Sequence, residues 1–257
     1  MTTPRKLRIG VQLHPQATTM AALRTAWEAA DALQVDSIFT WDHFYPLYGE
    51  PSAEHFEGWS ILAAMAATTS HAQFGMMVTC NSYRNPELLA DIARTVDHIS
   101  GGRLILGIGA GWFERDYTEY GYEFGTAPER LKALGAALPR IKERLAKLNP
   151  APLGDLPILI GGSGPKVTTR LVAQYAQIWN GFGTPQEAKA NSDIIDTHCA
   201  NLGRNPDEIE RSVLVAPGTD PLAYFALGLT HVIYMVGSPF DLDPLAKAVA
   251  IRDEFNT

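Results

Sequence analysis

Short apolar runs alternate with longer stretches of helical periodicity along the whole chain. An apolar run such as residues 104–108 is too short for a buried helix, and its bounding glycines are typical of a strand covered on both faces. Such runs predict eight strands, at residues 7–13, 35–41, 74–79, 103–110, 158–160, 177–180, 209–216 and 230–236. Apolar residues at helical spacing predict helices at residues 18–33, 58–70, 87–99, 128–148, 166–175, 185–201, 221–227 and 241–255. The segment 113–126 is predicted to be a loop.

These strand–helix units predict an α/β fold, the closed (β/α)8 TIM barrel. Strands separated by helices run parallel, because each helix returns the chain to the same end of the sheet. An open, doubly wound sheet is the alternative. The composition does not shift along the chain, so residues 1–257 are predicted to form one domain. In a barrel of this kind, functional residues are expected at the carboxyl ends of the strands.

The amino-acid composition argues against several classes of protein. Hydrophobic residues make up 46% of the chain, which is enough for a large core and argues against disorder. The net charge of −7 argues against nucleic acid as the main partner. Two cysteines are too few for a disulfide framework. The first residues lack the pattern of a signal peptide. No apolar run reaches the roughly 18 residues that span a bilayer. We therefore expect a cytoplasmic protein with a small-molecule substrate and no membrane partner. The seven histidines show no metal-ligand spacing, so no metal site is predicted.

Two glycine-rich segments follow predicted strands. Gly107, Gly109 and Gly111 remove side chains from one strand end, which allows another molecule to lie against the backbone or marks a plain turn. Their spacing does not match the dinucleotide fingerprint of Rossmann folds. Residues 161–164, Gly-Gly-Ser-Gly, are predicted to open a helix, where free backbone N–H groups bind phosphate and Lys166 adds charge. An ordinary strand–helix turn is the alternative.

Several side chains at the predicted strand ends are suited to chemistry. His43 follows Asp42, and its imidazole is a candidate to donate a proton or a hydrogen bond to a substrate carbonyl, with a structural role as the alternative. Trp112 is a candidate wall of a flat apolar pocket, with core packing as the alternative. The nearby acids Glu114, Asp116 and Glu119 are interpreted as solvated. Surface or structural roles are assigned to His55, His71, His98, His198 and His231.

Three stretches together resemble the luciferase-like flavin and deazaflavin barrel superfamily, most closely its coenzyme F420-dependent oxidoreductases. They are WDHFYP from residue 41, VTCNSYRNPELLADIARTVDHISGGRLILGIGAGW from residue 78, and PILIGGSGPKVTTRLVAQYAQIWN from residue 157. The resemblance covers most of residues 7–181 and is weak beyond residue 185. It implies a (β/α)8 barrel that forms a homodimer and holds the cofactor ring at its C-terminal mouth.

The resemblance also implies specific site residues. It places a non-proline cis peptide bond at Met77–Val78, against the back face of the ring, and a phosphate loop at residues 161–164. It places His43 beside the reacting ring as the catalytic residue. With Asn180, which ends a strand at the same mouth, the predicted cofactor-binding residues are Asp42, Met77, Val78, Thr79, Cys80, Ala110, Gly111, Trp112, Gly161, Gly162, Ser163, Gly164 and Asn180.

Two departures from the resemblance bear on the substrate. F420-dependent sugar-phosphate dehydrogenases carry a glutamate where this chain has Trp112, and a tryptophan where it has Leu47. Sugar-phosphate oxidation is therefore disfavoured. The sequence predicts an F420-dependent oxidoreductase that transfers a hydride between the deazaflavin and a small apolar carbonyl or enone-type substrate. An FMN-dependent monooxygenase of the same superfamily and a non-catalytic deazaflavin-binding protein are the alternatives.

Overall fold

The computed structural model describes residues 5–257, and within them eight parallel strands form one sheet. The strands are β1 (Arg8–Leu13), β2 (Ser37–Thr40), β3 in two segments (Gln73–Met76 and Thr79–Cys80), β4 (Leu104–Gly109), β5 (Ile158–Gly161), β6 (Ile178–Gly181), β7 (Glu210–Val215) and β8 (His231–Val236). Each strand pairs with the next along the chain, and β8 pairs with β1, so the sheet closes. The predicted (β/α)8 barrel is confirmed, and the open sheet is excluded.

Helices surround the barrel. They are α1 (Met20–Ala32), α2 (Gly58–Thr68), α3 (Pro86–Ser100), α4 (Glu114–Tyr120), α5 (Ala127–Lys147), α6 (Thr168–Tyr175), α7 (Pro185–Leu202), α8 (Pro221–Phe225) and α9 (Asp243–Phe255). Local sequence explains several boundaries: Thr126 and Thr184 begin α5 and α7 with capping boxes, and Gly101 and Gly203 end α3 and α7 in the left-handed conformation. Short 3-10 turns lie at Asn81–Tyr83 and Pro206–Glu208.

Apart from a small cluster of Cys80, Tyr83 and Tyr117, the apolar core has two parts. The larger part fills the space between the strands and the helices, and Trp27 and Trp179 are among its largest fully buried side chains. The smaller part fills the inside of the barrel and consists of Phe39, Met77, Ile105, Leu159, Ile178, Leu214 and Ile233. The barrel is therefore packed below its mouth. None of the helices within residues 5–257 combines the length and apolarity that crossing a bilayer requires.

A bulge interrupts β3 where it reaches the mouth. Residues 75–79 of β3 lie against residues 105–108 of β4, so four steps along one strand face three along the other. The peptide bond between Met77 and Val78 within this bulge is cis, at the predicted position. The side-chain amide of Gln12 donates to the Met77 carbonyl oxygen at 2.9 Å and holds the bulge from inside the barrel.

The bulge explains two glycines of β4. A Cβ atom at Gly107 would collide with the carbonyl oxygen of Met76, and one at Gly109 would lie 2.6 Å from Cγ2 of Val78. The neighbouring strand therefore occupies the space that these glycines leave. The interpretation that these glycines expose backbone to another molecule is wrong for Gly107, whereas Gly109 also lines a cavity.

A predicted loop and the predicted start of one helix, both near the mouth, are also wrong, while other helix ends differ from the prediction by a few residues. The predicted loop 113–126 contains α4, which the sequence did not reveal because the helix is short and only Asp116 and Tyr117 of it are buried. The predicted helix 166–175 begins only at Thr168. The carbonyl oxygens of Gly164 and Pro165 accept hydrogen bonds from the backbone N–H and the hydroxyl of Thr169, which form a turn before the helix. The segment 162–167 is therefore a loop.

Candidate active site

A cavity of about 520 Å³ opens at the carboxyl ends of the strands, where functional residues were expected. Every strand, or the segment that follows it, contributes to the cavity wall. Of the fourteen site residues predicted from the sequence, eleven line the cavity: Asp42, His43, Met77, Val78, Cys80, Ala110, Gly111, Trp112, Gly161, Gly162 and Asn180.

The other three predicted residues lie outside the cavity wall. Thr79 is fully buried, and because side chains alternate along a strand it points away from the cavity that Val78 and Cys80 face. Ser163 and Gly164 lie further along the loop after β5, beyond the lining residue Gly162.

His43 of the cavity wall pairs with a buried carboxylate that is not itself a lining residue. Nδ1 of His43 is 2.7 Å from Oδ2 of Asp116, whose side chain is fully buried. The interpretation of Asp116 as a solvated acid is therefore wrong. The same carboxylate accepts hydrogen bonds from the backbone N–H groups of Phe44 and Tyr45 and from the Tyr83 hydroxyl, at 3.0–3.2 Å. Asp116 thereby fixes the chain that follows β2.

Helix α4 brings Asp116 inward while its other acids stay outside. Glu114 and Glu119 are exposed, as predicted. The sequence predicts a loop for this segment, and a loop gives no reason to separate Asp116 from the other two acids. Tyr120 of the same helix stacks on Phe44, with ring centroids 4.1 Å apart, and adds an apolar contact between α4 and the chain after β2.

The carboxylate of Asp42, which lines the cavity, is held by an arginine that the sequence did not single out. Arg84 donates to both carboxylate oxygens of Asp42, at 2.6 and 2.9 Å, and the backbone N–H of Cys80 donates to one of them at 2.9 Å. Arg84 also reaches Glu57 at 2.9 Å. Although burial opposes it, the two acids raise the pKa of Arg84, so the guanidinium stays charged. Asp42 therefore joins the ends of β2 and β3, and its oxygens are already bound.

Cys80 is packed against the tyrosine of α4. Its Sγ lies 3.1 Å from the hydroxyl oxygen of Tyr117, and burial raises the pKa of the thiol. A neutral, buried thiol is not a nucleophile. Gly111 leaves room for this contact, because it has a φ of +81° and a Cβ atom there would collide with the Tyr117 hydroxyl.

Asn180 offers an unused hydrogen-bond acceptor to the cavity. The residue is fully buried, and its Nδ2 donates to the Ser212 hydroxyl at 3.1 Å. Its Oδ1 has no hydrogen-bond partner among residues 5–257. A buried acceptor without a partner is costly, so this atom fits a ligand that donates an N–H or O–H group.

The loop after β5 offers main-chain donors. Gly162 has a φ of +120°, and its own N–H donates to the Asn180 carbonyl oxygen at 3.0 Å. Among the hydrogen bonds of the described part of the chain, none uses the N–H of Ser163 or Gly164. These two groups are the candidates for binding an anion. Lys166 is exposed and lies outside the cavity wall.

Aromatic side chains form the mouth. Trp112 is 62% exposed, and its ring lies edge-on to His43 at a centroid distance of 5.6 Å. Trp112 therefore forms part of the cavity wall, and the alternative that it packs in the core is excluded. Tyr48 and Phe182 also line the mouth and are 60% and 48% exposed. The lining residues of the described chain include no lysine or arginine, and aromatic side chains form the opening of the cavity.

Residues 6–220 match the family model described as luciferase-like monooxygenase. The chain belongs to this luciferase-like family. The family resemblance predicted from the sequence is thus confirmed.

The following relative and solved structures share less than 30% sequence identity with this chain. The F420-dependent glucose-6-phosphate dehydrogenase of Microbacterium testaceum is 29% identical over 202 residues, which cover 70% of this chain. The chain spans only 59% of that relative's length. Among solved structures, an F420-dependent secondary alcohol dehydrogenase in complex with an F420–acetone adduct has a TM-score of 0.83, with 16% identity and coverage of 95% of this chain and 98% of that one. A type II Baeyer–Villiger monooxygenase from Pseudomonas putida in complex with FMN has a TM-score of 0.67, with 16% identity and coverage of 84% and 68%.

Proposed function

We propose that this luciferase-like protein is an F420-dependent oxidoreductase that acts on a small, uncharged carbonyl or enone-type substrate. One observation carries the proposal: an apolar cavity at the barrel mouth is lined by His43, whose Nδ1 is bound to Asp116 and whose Nε2 is left for a ligand. The similarity to F420-dependent enzymes in sequence and in fold supports the choice of cofactor.

The residues at the mouth fit a deazaflavin. A cavity of about 520 Å³ lies in the size range of small-molecule sites, and its bulged floor at Val78 is flanked by glycines. The free Oδ1 of Asn180 suits an N–H or O–H donor of the ligand. The free N–H groups of Ser163 and Gly164 suit the phosphate group of the cofactor tail. When bound, the deazaflavin gives or accepts a hydride at its ring carbon.

The chain's own residues position the substrate and move a proton. His43 donates its Nε2 proton to the substrate oxygen in the reducing direction, or accepts the hydroxyl proton in the oxidising direction. Trp112 and Phe182 shield the mouth from water and give the substrate an apolar surface. Orientation and exclusion of water are thus the protein's contribution to the reaction.

The cavity lining favours an uncharged substrate. Phosphorylated substrates are usually held by arginine or lysine, and neither lines this cavity in the described chain. Trp112 also replaces the acid that the sugar-phosphate dehydrogenases carry. We therefore propose a flat, apolar carbonyl compound or enone, and we do not extend the sugar-phosphate activity of the Microbacterium testaceum relative to this chain.

Parallel titrations with F420 and FMN test the proposal. We expect F420 to bind at least about tenfold more tightly than FMN, a difference of roughly 1.4 kcal/mol. Reduced F420 should then be oxidised in the presence of an enone or ketone panel. Tight FMN binding without F420 binding would contradict the proposal and favour the monooxygenase. Binding of F420 without turnover on any member of the panel would favour a non-catalytic deazaflavin-binding protein.

We further propose that the chain acts as a single domain and as a cytoplasmic homodimer, as the sequence predicts. Light scattering of the purified protein tests the oligomeric state, since a dimer has twice the mass of the 28.0 kDa chain. A monomeric mass would contradict the dimer without affecting the proposed chemistry.

A further inference from the structure

We infer that Asp116 is the positioning residue of the site: it holds one proton of His43 on Nδ1, so that Nε2 alone exchanges a proton with the substrate. The role of His43 in turnover rests on the proposed function, whereas the position of the proton does not. The fourteen site residues predicted from the sequence do not include Asp116.

The hydrogen bonds of Asp116 determine where the proton lies. Oδ1 accepts from the backbone N–H groups of Phe44 and Tyr45, which can only donate. Oδ2 accepts from the Tyr83 hydroxyl at 3.0 Å and lies 2.7 Å from Nδ1 of His43. A carboxylate surrounded by donors offers only lone pairs, so the fourth partner must donate as well. Nδ1 of His43 therefore carries a proton.

The neighbours of the pair support this arrangement. Burial, together with the nearby Cys80 and Asp116, raises the pKa of Tyr83, so its phenol keeps the proton that it donates to Oδ2. The rings of Trp112 and Phe113 lie edge-on to His43, with centroids at 5.6 and 5.4 Å, and restrict its rotation. Trp41 also lies edge-on to His43 at 6.2 Å, so the imidazole is held by one polar contact and three aromatic ones.

This arrangement sets what His43 can do. A neutral imidazole has one N–H donor and one acceptor nitrogen, and the partner of one nitrogen decides the state of the other. With Nδ1–H bound to Asp116, Nε2 accepts a proton when the ring is neutral and donates it when the ring is charged. The aspartate of a catalytic triad holds its histidine in the same tautomer.

The substitution Asp116→Asn removes the charge of the side chain and changes which nitrogen of His43 carries the proton, while the side chain keeps its shape. The amide oxygen can still accept from Phe44 and Tyr45, and the amide N–H group then faces Nδ1 of His43. Nδ1 must become an acceptor, so the proton moves to Nε2. The matched control is Glu119→Gln, which removes a charge from an exposed position of the same helix.

Long-range ¹H–¹⁵N correlation spectra of the full chain without cofactor, recorded at alkaline pH, distinguish the two tautomers of the neutral ring directly. The His43 signals are identified by their loss in His43→Gln. We expect an Nδ1–H tautomer in the wild type and in Glu119→Gln, and an Nε2–H tautomer in Asp116→Asn. An Nε2–H tautomer in the wild type would overturn the inference, and this measurement stands even if Asp116→Asn does not fold.

Turnover links the tautomer to the proposed function. We expect Asp116→Asn to lower kcat at least about tenfold, with the dissociation constant of F420 changed less than about threefold. A folded Asp116→Asn variant with the wild-type tautomer or with unchanged kcat would overturn the positioning role. If F420 does not bind the wild type, the proposed function fails, while the tautomer spectra still decide the position of the proton.

Discussion

The two ends of the barrel each hold a histidine bound to a carboxylate, and the comparison shows what makes one of them a site. At the mouth, Nδ1 of His43 lies 2.7 Å from Asp116. At the base, Nδ1 of His231 lies 2.7 Å from Glu210. At the base, however, Nε2 of His231 also lies 2.7 Å from the Ser37 hydroxyl, and the ring is fully buried.

The difference therefore lies in the second ring nitrogen. Both nitrogens of His231 are used within the fold, and Arg8 binds the second oxygen of Glu210 at 2.6 Å. This cluster joins the starts of four neighbouring strands. His43 keeps one nitrogen free in an apolar cavity. The same pair of side chains thus joins strands at one end, and under the proposed function it serves chemistry at the other.

Replacing the mouth histidine should give the largest effect on activity. We expect His43→Ala to lower kcat by about 100-fold, because it removes the group that exchanges a proton with the substrate. The affinity for F420 should stay within a few fold. His71→Ala, at an exposed position, is the control and should keep wild-type kcat. Unchanged turnover of His43→Ala, measured by F420 absorbance, would remove the histidine from the mechanism.

Replacing the carboxylate at the base should affect stability instead. We expect Glu210→Gln to lower the free energy of unfolding by roughly 2–3 kcal/mol, because His231 and Arg8 lose their shared partner. Asp193→Asn breaks an exposed ion pair and should cost less than about 1 kcal/mol. Urea denaturation measures both values. A large loss of kcat in folded Glu210→Gln would break the distinction between the two ends.

The stabilising effect of Glu210 should depend on pH. Although burial opposes it, His231 and Arg8 lower the pKa of Glu210 from 4.5 to about 2. A carboxyl whose pKa is lower in the folded state stabilises the fold above its unfolded value, and this contribution is lost as the pH falls. The difference in unfolding free energy between the wild type and Glu210→Gln should therefore shrink from pH 4.5 towards pH 2. A difference that is constant over this range would contradict the assignment.

Changing the loop after β5 should give a smaller effect, on binding alone. We expect Gly162→Asp to weaken F420 binding at least about tenfold, because the added carboxylate repels the phosphate group. Gly203→Asp is a matched control, since it places the same side chain at another glycine of positive φ, far along the chain at the end of α7. Equal F420 affinities of the two variants would place the phosphate elsewhere.

The sequence predicted the barrel and most of the cavity lining because both follow from local patterns. Apolar runs mark the strands, and residues such as His43 and Asn180 lie at their ends. Asp116 and Arg84 were missed because their roles depend on partners more than 40 residues away, with sequence separations of 73 from His43 and 42 from Asp42. Nothing in the run Glu-Arg-Asp distinguishes a buried acid from a solvated one.

The glycines after the strands show the same limit of prediction from sequence. The sequence shows their spacing, but the structural reason for each glycine depends on contacts with other parts of the chain. Gly107 and Gly109 make room for the bulge of β3, whose register depends on pairing with a separate strand. Gly109 and Gly162 both line the cavity, and Gly162, which has a positive φ, stays a candidate for binding.

We propose above all that the barrel mouth, and not another surface, holds a deazaflavin beside His43. A crystal structure of the protein soaked with F420 tests it most directly. We predict density for the ring in the cavity between Val78 and His43, with the phosphate group on the N–H groups of residues 163–164. A ring outside the cavity, or a phosphate group away from this loop, would contradict the account.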